Sequence, residues 1–107
     1  MGKEDFKQEM ERQLQSARDA VVDEVSFLNF LNVLSTDWFA ENELHATSPQ
    51  SPYSAGALGW ENGNIGAFLE AAARWAERSR NGLQFYEVPQ NQWRRLADII
   101  FMGKIYE

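Results

Sequence analysis

The chain has 107 residues, 44% of them apolar, and a formal net charge of −6, which suits one domain with an ordinary core. It contains no Cys, so disulfides, thiolate metal sites and Cys nucleophiles are excluded. No apolar run approaches the roughly 18 residues that cross a bilayer, the start Lys3-Glu4-Asp5 is too charged for a signal peptide, and Gly2 is not followed by a myristoylation pattern; the expectation is a cytoplasmic protein.

The spacing predicts a first helix over Lys3 to Val22. Phe6, Met10, Leu14, Ala17 and Val21 recur every three or four positions and form one narrow apolar stripe. Such a thin stripe suits a peripheral helix, or one that meets a partner chain and makes a homodimer. Asp23 or Ser26 then reads as an N-cap. Phe27, Leu28, Phe30, Leu31, Leu34 and Trp38 give the next helix a wide apolar face as far as about Glu43, with Asn29 and Asn32 facing away and Thr36-Asp37 loosening its last turns.

From His45 to Gly59 the composition changes. Pro49 and Pro52 lie among small polar residues, and Gly56 and Gly59 follow. The two prolines preclude a continuous helix, so this stretch reads as a long Pro/Gly loop. Loops of such length are often functional, and a tolerated surface insertion is the plainer alternative.

Asn62 or Asn64 can cap the third helix, beside Glu61, with Ile65, Phe68, Leu69, Ala72, Trp75 and Ala76 as its buried stripe. Asn81-Gly82 is a stop signal. Leu83 to Val88 is short and alternating, an extended segment without a partner strand. Pro89 suits the entrance of the last helix, whose inner face is Trp93, Leu96, Ala97, Ile100 and Phe101, with Ile99 and Met102 widening it. Short connections after Val22 and Asn81 favour neighbouring, antiparallel helices.

Catalytic patterns are absent from this reading. His45 is the only His; no further nitrogen or sulfur ligands accompany it for zinc, and Ser48 and Ser51 nearby lack the turn of a serine nucleophile. Asp37 and Glu41 share a helix face. Such a pair could hold a divalent metal or divide its proton affinities, although a solvated helix face is the plainer reading. Gly56, Gly59, Gly63 and Gly66 lack the Lys and Ser/Thr of a phosphate loop. Trp60, Trp93 and Arg94 could stack on a ligand, but Trp at helical spacing is usually core.

Charge is unevenly placed. From Val25 to Ala73 there is no Lys or Arg, while Asp37, Glu41, Glu43, Glu61 and Glu70 occur; in the last third Arg74, Arg78, Arg80, Arg94, Arg95 and Lys104 outnumber Glu77, Glu87, Asp98 and Glu107. The acidic balance argues against nucleic-acid binding and fits a basic protein partner.

The residues Trp60-Glu61-Asn62, Phe68-Leu69-Glu70-Ala71, Trp75, Trp93 with Ala97-Asp98-Ile99-Ile100, and Ile105-Tyr106-Glu107 come in an ordered series, with Ser26-Phe27-Leu28-Asn29-Phe30-Leu31 upstream. The series resembles a bacterial domain family of unknown function over roughly Val22 to Glu107. The resemblance implies a mainly helical domain and brings no activity. The first helix and the Pro49/Pro52 loop depart from it. Size, charge and helical class also resemble toxin-immunity proteins, by analogy alone.

The combined expectation is a single all-α domain over residues 1–107, with a peripheral helix over residues 1–22 and a core domain over 23–107. About four main helices pack around Phe27, Leu31, Leu34, Trp38, Phe68, Leu69, Trp75, Trp93, Leu96 and Ile100. The expected function is a non-catalytic protein-binding module, such as an immunity protein or antagonist of a basic partner, using Asp37, Glu41, Glu43 and Glu61 and no cofactor. The alternative is a small-molecule or divalent-metal binder using Asp37, Glu41, His45 and the flanking aromatics.

Overall fold

The computed structural model describes residues 2–47 and 56–107. Its helices are α1 (Lys3–Asp19), α2 (Glu24–Thr47), α3 (Ile65–Arg78) and α4 (Gln92–Ile105), and there is no strand among the described residues. The fold is therefore an all-α bundle of four helices. Of the expected long loop, residues 45–47 belong to α2, whose last turn Thr47 extends by bonding its hydroxyl to the carbonyls of Glu43 and Leu44. Both prolines, Pro49 and Pro52, lie outside the described residues.

Local chemistry sets the helix starts. Asp23 and Ser26 are not alternatives but partners: Ser26 N–H donates to Asp23 Oδ1 at 2.9 Å and Asp23 N–H donates to Ser26 Oγ at 3.1 Å. This reciprocal capping box satisfies two backbone donors at the head of α2. Asn64 caps α3 by accepting from Ala67 N–H at 2.8 Å. Asn91, not Pro89, caps α4, accepting from Arg94 N–H at 3.1 Å, while its amide donates to Val22 O at 2.9 Å across the bundle. Gly82, at φ +91°, ends the α3 exit in the left-handed region. Leu83 to Val88 is less extended than expected, because Leu83 and Tyr86 exchange both backbone hydrogen bonds and close a tight turn.

α4 is the axis of the bundle and touches the other three helices, α3 most extensively. α1 lies against α2 and α4. Its stripe is internal: Met10, Leu14, Ala17 and Val21 join Phe30, Leu34, Ala97 and Phe101 in one buried cluster, with Leu14 only 1% exposed. Four of the five stripe residues are thus covered within the chain, and α1 adds to the core, while Phe6 at its start stays 43% exposed. Thin stripes suffice where a helix meets a two-helix groove, since both neighbours contribute the remaining contacts.

Of the expected core, Leu34 and Trp75 are buried, and Phe27, Leu31, Trp38, Phe68, Trp93 and Ile100 pack half-buried against the central cluster. Leu69 and Leu96 are corrections, at 58% and 43% exposed, and so is Ile65 of the α3 stripe, at 74%. For Ile65 and Leu69 the reason is topological. No Cα of α3 comes within 8 Å of α2 or α1, so the apolar residues at the head of α3 that turn toward α2 have no helix to cover them.

Candidate partner-binding groove

The acidic pair on α2 faces inward. Asp37 is 1% exposed, and its Oδ2 accepts from Lys104 Nζ at 2.7 Å and from Trp60 Nε1 at 2.8 Å. Glu41, one turn on, uses Oε1 to accept backbone N–H groups of Leu58 at 3.0 Å and Trp60 at 3.3 Å. Partial burial raises the proton affinity of Glu41, opposed by those two backbone hydrogen bonds. A Cβ at Gly56 would fall 2.0 Å from Glu41 Oε1, so a larger residue there would push that carboxylate aside. The pair therefore fastens the segment 56–60 to α2 and α4. Helical spacing rightly placed both acids on one face; that face turns toward Trp60, with Asp37 buried under Trp60 and Lys104 and Glu41 half-buried one turn on. Among the described residues no group of three His, Cys, Asp or Glu side chains is placed to hold a metal.

The other expected site residues divide. Glu43 and Glu61 are exposed. The Glu61 carboxyl lies in hydrogen-bonding reach of Glu107, which raises its proton affinity. Trp60 is buried and stacks on Phe68 with ring centroids 6.1 Å apart. Trp93 packs on Phe27 at 5.5 Å. Arg94 bridges Asp98 at 3.0 Å and Asp19 at 3.2 Å. All three expected stacking residues thus make contacts within the fold, Trp60 buried and Trp93 and Arg94 half-buried. Arg95 is also internal: it donates to Ser79 Oγ at 2.9 Å and Ala76 O at 2.8 Å at the tail of α3, and sits over the Trp75 and Tyr86 rings. His45 is exposed at the end of α2.

The seam between α2 and α3 is open. It holds a groove of about 520 Å³, lined almost wholly by apolar atoms. Leu31 and Trp38 of α2 form one wall, Ile65 and Leu69 of α3 the other, and Phe68 and Ile100 lie between them. Ser35, Asn62 and Asn64 supply polar groups. Asn62 is held firmly, donating to Gly103 O at 3.0 Å and Tyr106 O at 2.8 Å. The two walls stand apart because each helix leans on α4 and neither touches the other. Such an apolar concavity gains free energy whenever something covers it, at roughly 25 cal/mol per Å² removed from water.

Ile65 and Leu69 read as core in the sequence.

No helix is long and apolar enough to cross a membrane among the described residues. No curated protein and no solved structure matches the chain. A model of the family of unknown function DUF7660 matches residues 4–107, an extent that takes in α1 and the whole bundle, and the chain belongs to that family.

Proposed function

We propose that this domain is a non-catalytic protein-binding module whose α2–α3 groove receives the apolar face of a positively charged partner helix. The open apolar groove carries the reading, because an uncovered concavity of this size rimmed by polar groups is the usual form of a recognition site. The sign of the partner follows from the walls: α2 from Val25 on and α3 as far as Ala73 contain no Lys or Arg, while Glu43, Glu61 and Glu70 are exposed around them. Asp37 and Glu41, being internal, hold the groove's end in shape; the steering charges are Glu43, Glu61 and Glu70. An antagonist of a basic protein, as an immunity protein is, would use such a surface.

The volume of about 520 Å³ also lies in the small-molecule range, and an apolar ligand is the second reading. It no longer draws on Asp37 or Glu41. Titration by two-dimensional amide NMR separates the two. A designed amphipathic Leu/Lys helix should shift Leu31, Ile65 and Leu69 with a Kd of about 10 µM, and the same helix with Glu for Lys should bind at least tenfold more weakly. Binding only of a neutral apolar compound favours the second reading. If neither helix perturbs the groove at millimolar concentration, the proposal fails.

A further inference from the structure

Two Asn-Gly pairs occur in the chain, Asn62-Gly63 and Asn81-Gly82. Such a pair is chemically labile. Glycine puts no side chain in front of its backbone nitrogen, which can then reach the side-chain carbonyl of the asparagine before it. The fold treats the two pairs differently. Asn62 is half-buried, and its amide nitrogen donates to Gly103 O at 3.0 Å and Tyr106 O at 2.8 Å. Swinging that amide toward Gly63 breaks both bonds. Asn81 is exposed at the exit of α3, and among the described residues nothing hydrogen-bonds its side chain. Its one restraint is on the nucleophile, since Gly82 N–H donates to Ser79 O at 2.9 Å.

We infer that Asn81 is a site of spontaneous deamidation and that the fold protects Asn62. The Gly82 nitrogen attacks the side-chain carbonyl carbon of Asn81, and a new C–N bond forms. The bond from that carbon to the side-chain nitrogen breaks. The nitrogen leaves as ammonia, taking the proton of the Gly82 N–H. Water then opens the resulting succinimide at one carbonyl or the other, which gives aspartate or isoaspartate.

Both products add a negative charge beside Arg80 in the sequence. Isoaspartate also lengthens the main chain by one methylene between α3 and the Leu83–Tyr86 turn. That turn holds Tyr86, which packs edge-on against Trp75 at 4.8 Å and donates its hydroxyl to Asp98 at 2.8 Å. The modification therefore falls on the link between α3 and a residue that ties the turn to both α3 and α4. It does not depend on what occupies the α2–α3 groove.

Ageing the full chain at mildly alkaline pH, with intact-mass measurement and peptide fragmentation to assign the site, tests it. Asn81 has one hydrogen bond fewer to break, so in the folded chain it should react roughly fivefold faster than Asn62. In urea, where neither set of bonds survives, the two rates should converge. Asn81→Gln alters an exposed side chain, so the helical circular dichroism should be unchanged while most of the mass gain disappears. An Asn62 that reacts as fast as Asn81 in the folded chain would overturn the inference. So would an Asn81 that stays unmodified while the unfolded chain reacts, or a ratio of rates that is the same with and without urea.

Discussion

The two long sides of α2 have had opposite fates. Toward α1, its apolar residues Phe30 and Leu34 join Met10, Leu14 and Val21 in one buried cluster, although Leu34 also reaches the groove on the other side. Toward α3, Leu31 and Trp38 line an open groove whose opposite wall is solvent-exposed Ile65 and Leu69. Both sides are similarly apolar. The difference is that α1 docks directly on α2, whereas α3 docks only on α4. An apolar face thus becomes core or binding surface according to which helix its neighbour leans on.

The sealed side should be fragile and the open side tolerant. The largest effect is expected where charge is sealed in. Lys104→Met leaves the Asp37 carboxylate buried without its cation, and should cost about 3–5 kcal/mol in denaturant unfolding. The double change Asp37→Leu with Lys104→Met should recover part of that loss, because it removes both desolvated charges but leaves the buried Trp60 indole N–H without its acceptor. A Lys104→Met chain as stable as the wild type would mean that the pair is not dry.

Next in size is a paired truncation. Leu14→Ala should cost about 2–5 kcal/mol, whereas Leu69→Ala should change stability by less than about 0.5 kcal/mol and reduce only partner binding. Equal costs at the two positions would erase the distinction between the seams. The α3–α4 contact that holds the groove open can be tested at Gly103, where an added Cβ would come 2.9 Å from the Phe68 ring and 3.0 Å from the Phe68 carbonyl. Gly103→Ala should destabilise by about 1–3 kcal/mol and should also shift the amide signals of the groove.

The smallest effects are electrostatic and have opposite signs. Hydrogen bonds from Arg12, then Gln13, hold the exposed Glu9 carboxyl on α1 down at about 2. Its stabilising contribution is present above the ordinary carboxylate pKa and is lost as pH falls toward 2. Glu61 is raised by Glu107. Its folded form prefers the proton, so its contribution is present at low pH and is lost as pH rises through its folded pKa. Glu61→Gln should therefore raise Tm slightly at pH 7 in low salt, with a gain that fades on acidification and in 0.5 M NaCl. A Tm that falls at pH 7 would mean that Glu61 already has a cationic partner.

Much of the fold was legible from local pattern. The four helices, the Asp23/Ser26 and Asn64 caps and the exit at Gly82 follow from period, cap chemistry and backbone freedom, all of which act within a few residues. The site was not legible. Asp37 and Glu41 looked like a hydrated acidic face because nothing nearby in sequence announces Lys104, 67 residues from Asp37. Trp60, Trp93 and Arg94 looked available because their partners, Asp37, Phe27 and Asp19, belong to other helices or loops. Leu69 looked buried because periodicity reports which residues are apolar and not what will cover them.

By itself, the sequence determined that this chain forms cysteine-free helices, where they start, and that cations are missing from Val25 to Ala73. Only the tertiary structure decided which acids were drawn inside, that α1 closes the core, and that α2 and α3 stand apart with an apolar groove between them. The division has a physical basis. Helix propensity and capping are summed over adjacent residues, whereas burial and charge pairing depend on contacts between residues far apart in the chain.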